Sequence, residues 1–162
     1  MTITPAAPGG PPTLKRTLRC RTVAEGGFKH HNHIRDLPPL LVEERFGASE
    51  NPDVASPSEA LLAALGSCVS ARIHANAAAG SILVTRLELD VEVDVGASSL
   101  WDRSASEPGP AGFGAIRVAV RIDADASSEA IRALVAHAVL WSPIANTLHD
   151  PVDLDVSVIA AP

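Results

Sequence analysis

The run Ser56-Pro57-Ser58-Glu59-Ala60-Leu61-Leu62-Ala63-Ala64-Leu65-Gly66-Ser67-Cys68 decides the centre of the fold. Ser56 is a cap residue, and Pro57 stands at the first helical position, where its missing N–H costs nothing. Glu59, three residues after the cap, completes a capping box. The alanines and leucines that follow predict a helix over about 57–79, with Gly80 at the C′ position. Leu61, Leu65, Cys68 and Arg72 share one stripe of that helix, and Leu62, Val69, Ile73 and Asn76 share the next. Ala63, Ala64, Gly66 and Ser67 are small, so another backbone can approach closely.

Downstream lies the clearest strand pattern. Leu87, Leu89, Val91, Val93 and Val95 alternate with Glu88, Asp90, Glu92 and Asp94. Period two with a charged face means one side covered and one side wet. After a Gly/Pro/Ser-rich loop over 96–114, Ile116, Val118, Val120 and Ile122 alternate with a face that carries Arg117 and Arg121. An acidic face beside a basic one predicts antiparallel neighbours with cross-strand ion pairs. Asp125 to Ser128 is rich in caps. A second helix is expected over about 127–141, with Ile131, Leu134, Val135, Ala138 and Val139 on its apolar side and Pro143 breaking or kinking it. Val152, Leu154, Val156 and Val158 alternate with Asp153, Asp155 and Ser157 as a closing strand.

Upstream, Leu14 to Val23 reads as a strand, Glu25-Gly26-Gly27 as a turn, Lys29 to Arg35 and Leu40 to Glu44 as short strands, and Gly47 to Ser56 as a loop. Residues 1–12 are dense in proline and glycine and read as a disordered tail. With 162 residues, the folded part over 13–162 is expected to be a single domain. Its class is α+β: antiparallel sheets with two long helices.

Composition narrows the function. The formal charge is −6 with no basic block, which disfavours nucleic acid and anionic membrane surfaces as partners. No stretch approaches the ~20 apolar residues of a membrane helix, and residues 1–12 lack the charged and apolar regions of a signal peptide. The two cysteines, Cys20 and Cys68, are far apart and read as reduced thiols of a cytoplasmic protein. His30, His31 and His33 form the only histidine cluster. Alternation puts His31 and His33 on one strand face, but no cysteine or carboxylate follows at a metal-site spacing, so a polar strand edge is the reading. Neither a metal nor a cofactor is expected.

Cys68 is the candidate reactive atom. Its place on an apolar stripe also fits a buried, inert thiol packed as a small hydrophobe. A reactive thiol needs a nearby cation or donor, and the helix offers Arg72 one turn on and His74. The segment Ser56 to Cys68 resembles the central-helix motif of the OsmC/Ohr family of thiol peroxidases. Trp141-Ser142-Pro143-Ile144-Ala145-Asn146-Thr147-Leu148 resembles that family's Cys-Pro-x-x-Asn-Thr-Leu segment. The resemblance runs from Leu14 to Val158 in the same order of elements.

That resemblance implies an OsmC-like fold and an intertwined homodimer with sites at the subunit interface. It also implies a peroxidatic thiolate that reduces organic hydroperoxides and a thiol that regenerates it. Mapped onto this chain, Cys68 takes the peroxidatic place and Ser142 the place of the resolving cysteine. A hydroxyl cannot close a disulfide, so Cys20 or an external thiol would have to act instead. Where the family carries a helper glutamate this chain has Ser58, with Glu59 one residue later and already occupied by the capping box. The family's arginine comes from the N-terminal sheet. Arg35 is preferred over Arg21 because it lies near the loop that leads to the central helix. The departures at Ser142 and Ser58 leave an alternative open: a non-peroxidatic small-molecule binder, or an enzyme using the same pocket for other chemistry.

Overall fold

The computed structural model describes residues 16–24, 28–44, 52–95, 112–150 and 152–158. The expected tail over 1–12, the turn at 25–27 and most of the 96–114 loop lie outside them. The chain packs as two compact units that meet in sequence at Ser56 and Pro57.

The first unit carries three strands, β1 (Arg21–Ala24), β2 (Lys29–His33) and β3 (Leu40–Glu43), in one antiparallel sheet of order β1-β2-β3. His33 pairs with Arg21, and His31 sits between Val23 and Leu41. The expected strand from Leu14 is shorter than its pattern suggested. Residues 16–20 have no regular structure and are exposed, because β2 is paired only as far as Arg21. The turn after β2 is closed by Leu37 N–H donating to the Ile34 carbonyl. Arg35 sits in it at φ 53°, a left-handed conformation that favours glycine.

The second unit is built on α1 (Pro57–Ala79), which has the bounds its cap and stop signals predict. Its buried stripe is Leu65, Val69, Ile73 and Ala77, one residue every fourth position. The stripes read from the sequence were therefore offset: Cys68 and Asn76 border the core and do not fill it. Gly66 is where a strand side chain comes close, since a Cβ there would meet Val91 Cγ2 at 3.3 Å. The left-handed position lies one residue beyond the expected glycine. Ser81, not Gly80, takes the left-handed position at φ 54°. Ser81 N–H donates to the Ala78 carbonyl and Ile82 N–H to that of Ala77, which is the Schellman pattern. A serine held there costs more than a glycine. Ser81→Gly is expected to stabilise the protein by about 0.5–1 kcal/mol, read as a rise in thermal midpoint. A fall would contradict the assignment.

β4 (Val84–Val95) and β5 (Phe113–Ala124) form a two-stranded antiparallel ladder, as the alternation predicts. Glu88 faces Arg121 and Glu92 faces Arg117 in the register. Arg117 also reaches Asp94 with two hydrogen bonds, at 2.6 and 2.8 Å, and Arg121 bonds Asp90. The hydrogen bonds from Arg117 hold the Asp94 carboxyl below its usual value. Any stability from this pair is present above the unfolded carboxyl's pKa and fades as pH falls through the lowered one. All these groups are exposed, so they set register more than stability. The other face of the ladder, with Leu87, Leu89, Val91, Ile116, Val120 and Ile122, packs on the core of α1.

α2 (Ser128–Leu140) is capped by Ser127, whose Oγ accepts from Ala130 N–H at 3.2 Å. It contributes Leu134 and Ala138 to the core. Pro143 does not simply end it. Pro143 opens a further helix, α3 (Pro143–His149), with Ser142 as its cap. The expected closing strand is not formed: residues 152–158 have no regular structure, and Val152, Leu154, Val156 and Val158 are exposed at 63%, 85%, 79% and 93%. Alternation marks a segment able to pair, and among the described residues no strand offers it a ladder.

Candidate functional site

The second unit brings the two sequence motifs into contact. Ser142 Oγ donates a hydrogen bond to Cys68 Sγ at 3.1 Å. Cys68 comes from the middle of α1 and Ser142 from the junction of α2 and α3, 74 residues later. Local chemistry holds that junction in place. Trp141 N–H donates to the His137 carbonyl and Ser142 N–H to that of Val139, which closes α2. Asn146 N–H returns to the Ser142 carbonyl, and Asn146 Nδ2 donates to the Leu140 carbonyl at 3.1 Å. Ser142 Oγ also accepts from Ala145 N–H at 3.3 Å. The hydroxyl is thus used twice, as cap of α3 and as donor to the sulfur. That satisfies a side chain that is 0% exposed.

Cys68 itself is a free cysteine and half-buried as a residue. Leu65 and Val69 of α1 form one wall of a cleft of about 460 Å³, which Ile116, Val139, Ala145, Leu148 and His149 help to line; neither Cys68 nor Ser142 lines it.

Glu59 is exposed in the first turn of α1. Nine residues of helix put it about 14 Å from Cys68 along the axis and on the opposite side. Ser58 is half-buried in the same turn, and Arg72 and His74 are exposed. Arg35 belongs to the first unit, where it lines an open cleft of about 740 Å³ with Arg16, Leu18, Arg19, exposed Cys20 and Ile34. His30, His31 and His33 are half-buried in the first sheet. Among the described residues, no group of three or more His, Cys, Asp or Glu is placed to hold a metal ion. No helix among them is long and apolar enough to cross a membrane.

The double role of Ser142 is the feature that sequence reasoning missed. Its signal was present: Ser-Pro at 142–143 repeats the cap-and-proline signature that opens α1 at 56–57.

A cysteine on a long central helix, facing the start of a later helix over an antiparallel ladder, defines an α+β protein of the OsmC type. The chain belongs to this family: the family described as OsmC-like protein matches residues 50–157. Solved structures agree in fold. The OsmC-like protein from Mycoplasma pneumoniae superposes with a TM-score of 0.69 at 17% identity, covering 85% of this chain and 91% of that one. An organic hydroperoxide resistance protein from Elizabethkingia anophelis gives 0.61 at 18% identity, over 85% and 93%. The organic hydroperoxide resistance protein OhrB of Bacillus subtilis gives 0.54 at 19%, over 83% and 93%. No curated protein sequence matches the chain.

Proposed function

We propose that this protein is a thiol-dependent peroxidase that reduces organic hydroperoxides at Cys68. One observation carries the reading: the hydrogen bond from buried Ser142 Oγ to Sγ of half-buried Cys68. The bond holds the sulfur against the start of α3, and as a thiolate that sulfur is the nucleophile. The thiolate attacks one peroxide oxygen, and the O–O bond breaks. The other oxygen leaves with a proton as the alcohol, and the sulfur becomes a sulfenic acid. The structural relatives from E. anophelis and B. subtilis are named for resistance to organic hydroperoxides, which agrees with this substrate class.

On the family resemblance alone, Arg35 is the guanidinium we assign to support the thiolate. A non-glycine residue at φ 53° is strained, and such strain clusters at functional positions. Glu59 we assign to the helix start, with any part in the reaction secondary. The reading includes a homodimer of single OsmC-like domains in a reducing cytoplasm. The exposed apolar side chains of Val152, Leu154, Val156 and Val158 support association.

A second reading, a non-peroxidatic binder or enzyme using the same pocket, is favoured by the hydroxyl at Ser142 where the family pattern has a sulfur. Anaerobic assays of the full chain with cumene hydroperoxide and excess dithiothreitol separate the two. Catalytic alcohol formation, with a sulfenic-acid trap labelling Cys68, is the expected result. No turnover and no label would leave the second reading standing.

A further inference from the structure

We infer that the first unit holds a binding site for a small organic phosphate, with its phosphoryl group among the guanidinium groups of Arg16, Arg19 and Arg21. The inference does not depend on the chemistry at Cys68. The stretch Arg16-Thr17-Leu18-Arg19-Cys20-Arg21 carries three arginines and no acid, in a chain whose formal charge is −6. It folds against the turn after β2. There an open cleft of about 740 Å³ is lined by Arg16, Leu18, Arg19, Ile34 and Arg35. An adjoining cleft of about 600 Å³ shares Leu18, Arg19 and Arg35, and adds Arg21 and His33. Arg21 and His33 are partners in the β1–β2 register, so their side chains share one face of the sheet.

No carboxylate balances this group. Among the described residues, none of Arg16, Arg19, Arg21 and Arg35 has an ion pair, whereas Arg86, Arg117 and Arg121 of the ladder each have one. No acidic side chain among them lines either cleft. Like charges gathered without a counter-ion repel one another, and an anion between them removes that cost. The guanidinium fork suits carboxylate and phosphate oxygens alike. A monocarboxylate brings one charge. A phosphomonoester brings about −1.5 to −2 and three acceptor oxygens, so it answers several forks at once. Both volumes lie within the roughly 300–1,000 Å³ of small-molecule clefts, more than a bare phosphate ion needs. Exposed Leu18 and Ile34 give the organic part an apolar surface. The acidic balance of the whole chain opposes a nucleic acid, which would extend past the clefts.

The test titrates the full-length protein with phenyl phosphate by calorimetry at low salt, with benzoate and phenol at the same ionic strength. Saturable binding of phenyl phosphate at one site per chain is expected, with weaker binding of benzoate and none of phenol. Arg16→Gln with Arg19→Gln should weaken phenyl phosphate binding about tenfold or more. Arg132→Gln, an exposed arginine of the second unit, should leave it unchanged. A second readout needs no variant. Cys20 is exposed and lines both clefts, so saturating phenyl phosphate should slow its alkylation by iodoacetamide, read by peptide mapping. The inference is overturned by an absence of phenyl phosphate binding, by benzoate binding as tightly, by full affinity in the double variant, or by Cys20 alkylation that saturating ligand does not slow.

Discussion

Ile73→Ala is expected to destabilise the second unit by about 2–5 kcal/mol. Ile73 is 0% exposed, in the same buried cluster as Leu65, Val69, Ala77, Leu134 and Ala138. Truncation removes three methyl or methylene groups from water-free surroundings and leaves a void. Its neighbours lie on a helix and a ladder that cannot easily collapse around it. Whole domains are stable by only about 5–15 kcal/mol, so the variant stands near the edge of folding. Urea titration followed by circular dichroism reads the effect as a lower midpoint at unchanged slope. Ile73→Val, which deletes one methyl, should cost about 0.5–1.5 kcal/mol. A loss below that for the alanine variant would mean the helix does not pack as described.

The second large effect concerns the sulfur. Cys68→Ala should reduce hydroperoxide consumption to the uncatalysed rate, since the variant has no nucleophile at the site. It should also destabilise the fold by about 1–3 kcal/mol, because Ser142 Oγ, fully buried, loses the acceptor for its proton. Cys68→Ser separates the two consequences. Its hydroxyl can accept from Ser142 and recover part of the stability. A neutral hydroxyl is a weak nucleophile near neutral pH, so activity stays lost. Thermal melts and peroxide assays on the same preparations check both halves. Residual turnover in either variant would move the chemistry away from Cys68.

The parts of the fold that were legible in the sequence carry their signals locally. Ser56-Pro57 and Glu59 announce the start of α1, and the alternating acids and arginines of β4 and β5 announce both the strands and their register. What went unread depends on partners distant in sequence. Leu14 to Val23 and Val152 to Val158 alternate well enough for strands, yet a strand forms only where a neighbour lends its hydrogen bonds. Pro143 was legible as an interruption of α2, but its role as first residue of α3 depends on Ser142 turning inward. At the end of α1, Gly80 drew the left-handed assignment because glycine carries it at least cost, whereas the ladder of hydrogen bonds to Ala77 and Ala78 puts Ser81 there. Of the candidate site, the pairing of Cys68 with Ser142 came from motif resemblance, since no periodicity links positions on different helices. Glu59 came from the family's glutamate place one residue earlier, and Arg35 from its closeness in sequence to the loop that leads to the central helix; neither signal carries the height of a side chain on a helix or its neighbours across the fold.

One further property follows from the offset between the core stripe and its border. Cys68 and Asn76 each precede a core residue, Val69 and Ala77, and each finds a polar partner beyond α1. Cys68 meets Ser142, and Asn76 Nδ2 lies 2.9 Å from His137 Nδ1. The two contacts are eight residues apart, about 12 Å along the axis. They act as two pins through neighbouring rods: sliding one helix past the other by a single turn, about 5.4 Å, would pull both at once. The height of the sulfur is therefore gauged in part by an amide two turns away from it.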